Sequence, residues 1–232
     1  MDTVRKIIQT STDYYNEIRK DENGRYRSWE HCYEKFYNAR KDRNNVNHDY
    51  LSLQLAFYLA SWGMYRGSSF LLQKDYKIHS EVVKELIKEE YDPLLGIECV
   101  DLKELSNQML LKKLTNFMRQ YYSKVRISVK GQQAQTDISA TLLTKILLGT
   151  LGCVPAYDRY FISGIKHERV ATGKYSKKSL LKLIEFYENN REMLEPVRKT
   201  MQIGSIEYPQ MKMLDMGFWQ IGFEEDVSKN KL

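Results

Sequence analysis

DLKELSNQMLLKKLTNFMRQYYSKV, residues 101–125, is the stretch that decides the fold class. Leu102, Leu105, Met109, Leu110, Leu114, Phe117, Met118, Tyr121 and Tyr122 recur three or four positions apart. That spacing stacks side chains on one side of an α-helix, whereas a strand would alternate them. Asp101 followed by Glu104 reads as a capping box. The stretch therefore predicts an amphipathic helix from Asp101 to about Val125 with a single apolar stripe.

Outward from it the same period recurs. Between Asn47 and Tyr65 the apolar residues Leu51, Leu53, Leu55, Ala56, Phe57, Leu59, Ala60 and Trp62 cover most of a helix surface, which predicts a central helix. The segment 136–151 reads alike, with Thr136 as cap and Leu142, Leu143, Ile146, Leu147 and Leu151 inside. These two are the expected core pair. A first helix uses Val4, Ile7, Ile8, Tyr15 and Ile18; after the polar connection DENGRYRS, Ser28 opens another with Trp29, Cys32, Tyr33 and Phe36. Ser176 caps a helix carrying Leu180, Leu183, Ile184, Tyr187, Leu194, Val197 and Met201, broken near Pro196. Further helices are expected over 80–91, 156–165 and 210–221. One weak strand signal, 125–129, is too short to make a sheet. The reading is all-α: one compact domain of about eight to ten helices over residues 1–222, followed by a frayed tail at 223–232.

With 42% apolar and 28% charged residues in a chain of 232, the composition suits a folded domain with a continuous core. No apolar run approaches the roughly 20 residues that span a bilayer. The N-terminal MDTVRKIIQT has no apolar leader segment, so a cytoplasmic protein is expected, with no membrane partner. Cys32, Cys99 and Cys153, like the scattered histidines, form no ligand spacing; no metal and no cofactor are expected. The net charge of +6 favours an anionic partner such as a nucleic acid.

Two islands interrupt the helical pattern. SWGMYRGSSF, residues 61–70, ends one central helix with Trp62, Arg66 and Ser68; LGCVPAYDRYF, residues 151–161, follows the other with Tyr157, Asp158, Arg159 and Tyr160. Gly67 and the serines read as a helix stop and a new cap, and Asp158 as an acid at the positive end of a helix starting at Pro155. The alternative reading is a pocket in which Arg66 and Asp158 approach each other between aromatic walls, suited to a nucleobase or another planar ligand. Both islands resemble stretches of an uncharacterised bacterial protein family. The resemblance covers about a third of the chain, suggests a bacterial or phage origin and implies no activity.

Arg43-Asn44-Asn45-Val46-Asn47-His48 resembles the R-N-x-x-x-H motif of HEPN ribonucleases, all-α toxins and defence proteins. The resemblance implies that Arg43 and His48 act together on RNA, in proton transfer and phosphate stabilisation, and that they face their copies across a homodimer. The alternative is a solvated turn in which Asn47 caps the next helix. In GIKHERVATGKYS, residues 164–176, the Gly-Lys lacks the spacing of a phosphate-binding loop. Lys166, His167, Arg169 and Lys174 nevertheless surround a loop before a helix start, where they would contact phosphates without sequence preference. The expectation is a nucleic-acid-associated protein, with a HEPN-like ribonuclease as its enzymatic form. The alternatives are a noncatalytic interaction factor and a small-ligand binder.

Overall fold

Asn47, Ser139, Asp158 and Ser176 each accept a hydrogen bond from a backbone N–H two or three residues ahead, and each starts a helix. Such caps satisfy donors that the first helical turn leaves open. In the computed structural model, which describes residues 2–229, the order is α1 (Thr3–Lys20), α2 (Ser28–Lys41), α3 (His48–Ser61), α4 (Ser80–Leu86), α5 (Leu105–Ile127), α6 (Ala140–Thr150), α7 (Arg159–His167), α8 (Lys177–Asn189), α9 (Arg191–Arg198) and α10 (Gln210–Lys229). A two-stranded antiparallel ribbon, β1 (Gln202–Ile203) and β2 (Ile206–Glu207), turns the chain between α9 and α10. The protein is an all-α domain with one hydrophobic core running from Val4 to Ile221.

Several boundaries differ from the sequence reading, each for a local reason. Residues Asp101–Lys103 form a separate 3-10 turn; Glu104 is extended, its side chain makes no cap, and α5 starts at Leu105. The expected strand at 125–129 is absent, because α5 continues to Ile127. Ser139, not Thr136, caps α6; the turn before it is held by Arg126, which donates to Gln132 at 3.0 Å and to the carbonyl of Asp137 at 2.5 Å. The break between α8 and α9 falls at Asn190, whose side-chain amide caps the Phe186 carbonyl at 2.8 Å, and Pro196 lies inside α9. The helix over 80–91 ends at Leu86 and gives way to a 3-10 segment, Glu89–Leu94. Pro155 lies outside any helix, and α7 begins only after Asp158. The tail expected at 223–232 is helical to Lys229, since Phe223 stacks on Trp219 with ring centroids 5.3 Å apart; residues 230–232 lie outside the described residues.

α3 and α6 do pack against each other, but only α6 is central, buried at every residue from Leu142 to Thr150, whereas α3 leaves Tyr50, Leu53 and Phe57 exposed. A Cβ on Gly149 would stand 2.4 Å from the Tyr58 ring, and Lys145 lies over the Trp62 ring, so the two helices run past each other in opposite directions. The helix expected over 210–221 forms as α10 and is central, a place the sequence reading did not give it. Every residue of α10 from Gln210 to Trp219 is buried. Its close packing uses glycine on both sides: a Cβ on Gly217 would meet Ile7 of α1 at 2.9 Å, and one on Gly222 would meet the Tyr160 carbonyl oxygen of α7 at 2.0 Å.

Candidate functional site

The two sequence islands meet around a buried lysine on α6. Lys145 Nζ lies 3.0 Å from Asp158 Oδ2 and 4.9 Å from the centre of the Trp62 ring. Beside it, Lys212 Nζ pairs with Asp215 Oδ2 at 3.0 Å and faces Trp29 at 4.8 Å. Both lysines are nearly inaccessible, at 4% and 3% side-chain exposure, so each depends on its carboxylate to offset lost hydration. Asp158 Oδ1 accepts the N–H groups of Tyr160 and Phe161, both at 3.1 Å, which fixes the start of α7. Asp215 Oδ1 accepts the Ala156 N–H at 2.9 Å; burial pushes its carboxyl above the usual range, against the opposing pull of Lys212. Trp219 closes the far wall, edge-on to Trp62.

The expected pocket is therefore redistributed. Asp158 and Trp62 share the centre, but the cation between them is Lys145, and Arg66 is exposed, with its guanidinium against Gly63 and no ion pair among the described residues. Gly63 before Arg66 and Gly67 after it take positive φ, 73° and 58°, so the chain turns on both sides of Arg66, which is left exposed. Ser68 is exposed and its carbonyl accepts from Gln132. Tyr157 points the other way, its hydroxyl 2.9 Å from Ser179. Tyr160 packs on Trp219 and Phe223, and exposed Arg159 lies over its ring. The space left at the centre is about 10 Å³, room for a water and far below the volume of a nucleobase site.

Arg43 and His48 are not brought into one hydrogen-bonded unit. Arg43 forms an ion pair with Asp92 and donates to the carbonyl of Arg40 at 2.9 Å. His48 is the first residue of α3, behind the Asn47 cap, as in the solvated-turn alternative. In the basic loop His167 pairs with Glu225 at 2.9 Å, while Lys166, Arg169 and Lys174 are exposed and form no ion pair among the described residues. The described residues hold no group of three or more His, Cys, Asp or Glu able to ligate a metal, and no helix long and apolar enough to cross a membrane.

A larger concavity lies between α5 and α8. It measures about 460 Å³, with Leu111, Leu180 and Ile184 in its floor and Leu105, Met109 and Leu181 on its walls. Leu105 and Met109 sit one turn apart at 66% and 62% exposure. Covering such side chains yields about 1.5–3 kcal/mol each, so leaving them open forgoes stability. Lys112, Arg119 and Lys177 also line the groove, no Asp or Glu does, and none of the three has an ion pair among the described residues. A second apolar stripe, Tyr50, Leu53 and Phe57, follows the outer face of α3, where no concavity accompanies it among those described. The sequence signal for the groove was present but misassigned: the single expected stripe of α5 is in fact two, because Leu105 and Met109 stand two and a half turns before Leu114 and Met118 and so on the opposite face from the buried stripe. Lys145, Lys212 and Asp215 carried no signal beyond a charge within an apolar helix.

No family model matches this chain, and neither a characterised protein nor a solved structure does.

Proposed function

We propose that this protein is a noncatalytic interaction factor whose working surface is the groove between α5 and α8, and that a protein segment occupies it. The observation that carries this reading is the pair Leu105 and Met109, both largely exposed on the wall of an apolar groove. Exposed apolar side chains gathered in a concavity are the signature of a docking surface, whereas scattered ones are ordinary. The catalytic alternative has less support, because Arg43 is committed to Asp92. The ligand-pocket alternative lacks room at Asp158.

Nucleic-acid binding is the competing use of the same region, favoured by the exposed Lys174, Lys177 and Lys178. The floor argues against it: single-stranded nucleic acids stack on aromatic platforms, and this floor is aliphatic, with Tyr175 the sole aromatic lining residue. Three buried free thiols, Cys32, Cys99 and Cys153, suit action in a reducing cytoplasm.

A photocrosslinking residue placed at Met109, in cells that express the full chain, tests the reading. Discrete protein adducts, lost on Leu105→Glu and absent when the same residue replaces exposed Glu17, are expected. Adducts only to nucleic acid would contradict it.

A further inference from the structure

We infer that the occupant of the α5/α8 groove is an amphipathic helix of a partner protein, with acidic residues along both edges of its apolar face. This rests on the interaction reading above and adds the chemistry of the partner. Three features of the groove carry it.

The first is length and form. Leu105, Met109, Lys112, Asn116 and Arg119 line one side at steps of four and three residues along α5. At 1.5 Å per residue they span about 21 Å, the length of a helix of about 14 residues. A groove between two helices accepts a third by the ridge-and-groove packing that joins helices within cores. The second is chemistry: the apolar lining is almost wholly aliphatic, which suits the leucine and methionine side of an amphipathic helix.

The third is charge. Lys112 and Arg119 lie on the α5 rim, Lys177 opposite them on the α8 rim, with no carboxylate in the lining. Lys174 and Lys178, also exposed, extend the positive edge on the α8 side. Lys112 and Arg119 are seven residues apart, two helical turns, so an occupant helix would meet them with acids at positions i and i+7 on one edge. Lys177 requires an acid on the other edge. The exposed helical stripe Tyr50, Leu53 and Phe57 of a second copy of this chain does not supply that pattern: it has Asp49 beside it, but Ala56 seven residues further on.

The probes are three fluorescein-labelled peptides tested by anisotropy on the full chain. One is a leucine-rich amphipathic helix with glutamates on both edges, one has lysines in their place, and one is a scramble of the first. The acidic helix is expected to bind at least tenfold more tightly than either of the others. Met109→Glu and the double variant K112E/R119E, both on exposed positions and checked by thermal melting, are each expected to weaken it at least tenfold. A scramble that binds as tightly as the ordered peptide overturns the inference, as does failure of the acidic helix to bind. If the lysine helix binds instead and Met109→Glu abolishes it, the acidic class is wrong and the docking reading stands. If no peptide binds and single-stranded RNA does, with binding lost in K112E/R119E, both fail.

Discussion

Lys145 and Asp158, thirteen residues apart, meet at 3.0 Å beneath the Trp62 ring and so join the two helix-ending islands of the sequence. Asp158 has a second duty as the cap of α7, and its two roles separate under substitution. Asp158→Asn keeps a capping oxygen but leaves Lys145 buried without a counter-charge, which costs about 3–5 kcal/mol. Asp158→Ala loses the cap as well, about 1 kcal/mol more. Lys145→Met is expected to cost least of the three, because the carboxylate keeps its two backbone donors. Urea unfolding of the three variants checks the order, and Lys145→Met emerging as the costliest would contradict it.

The crossing of α7 over α10 depends on two glycines. A Cβ on Gly164 would lie 2.0 Å from the carbonyl oxygen of Phe218, and one on Gly222 equally close to that of Tyr160. Backbone cannot yield as a flexible side chain does. Gly164→Ala and Gly222→Ala are each expected to lower stability by about 1–3 kcal/mol or more, although alanine is the better helix former. Gly204→Ala provides a contrast, since nothing lies within 4 Å there and only the positive φ of 57° opposes it. Thermal melts that order these variants otherwise would count against the packing described.

His79 is buried between two phenols, its Nε2 2.7 Å from the Tyr65 hydroxyl and its Nδ1 2.6 Å from that of Tyr122. Burial holds the imidazole down at about 3, against 6.5 when exposed. The folded protein thus keeps His79 neutral while the unfolded chain takes up a proton below 6.5. The stability His79 protects is complete above that value and falls as pH drops toward 3, by about 1.4 kcal/mol per pH unit. Between pH 6.5 and 5, before most carboxylates titrate, His79→Gln is expected to flatten the loss seen by urea denaturation. Identical slopes in the two proteins would remove His79 from the account.

Much of this architecture was legible in the sequence, and most of the failures have a common cause. Helices announce themselves by period, so α3, α5 and α6 were visible, and Asn47 and Ser176 read as caps; Asp158 read as an acid in a first turn begun at Pro155, and its role as the cap itself was not seen. Partners distant in sequence leave no such trace. Arg66 read as the natural mate of Asp158 because it stood in the other island, yet Lys145, inside the apolar run TLLTKILLGT, takes that place. Lys212 and Asp215 have the spacing of a surface pair on a helix, but α10 is buried on all sides there. Leu105 and Met109 read as part of one stripe with Leu114 and Met118, yet each stands nine residues, two and a half turns, before its counterpart and so on the opposite face of α5, where the core does not cover it.

The central claim is that the α5/α8 groove receives an acidic amphipathic helix. Methyl-resolved NMR of the full chain, with assigned signals for Leu105, Met109, Leu181 and Ile184, tests it most directly. Addition of the glutamate-edged peptide is expected to shift those four methyls while the signals of Leu53 on α3 and Val154 in the core stay in place. Shifts confined to Leu53, or none with the peptide while single-stranded RNA moves the groove methyls, would contradict it.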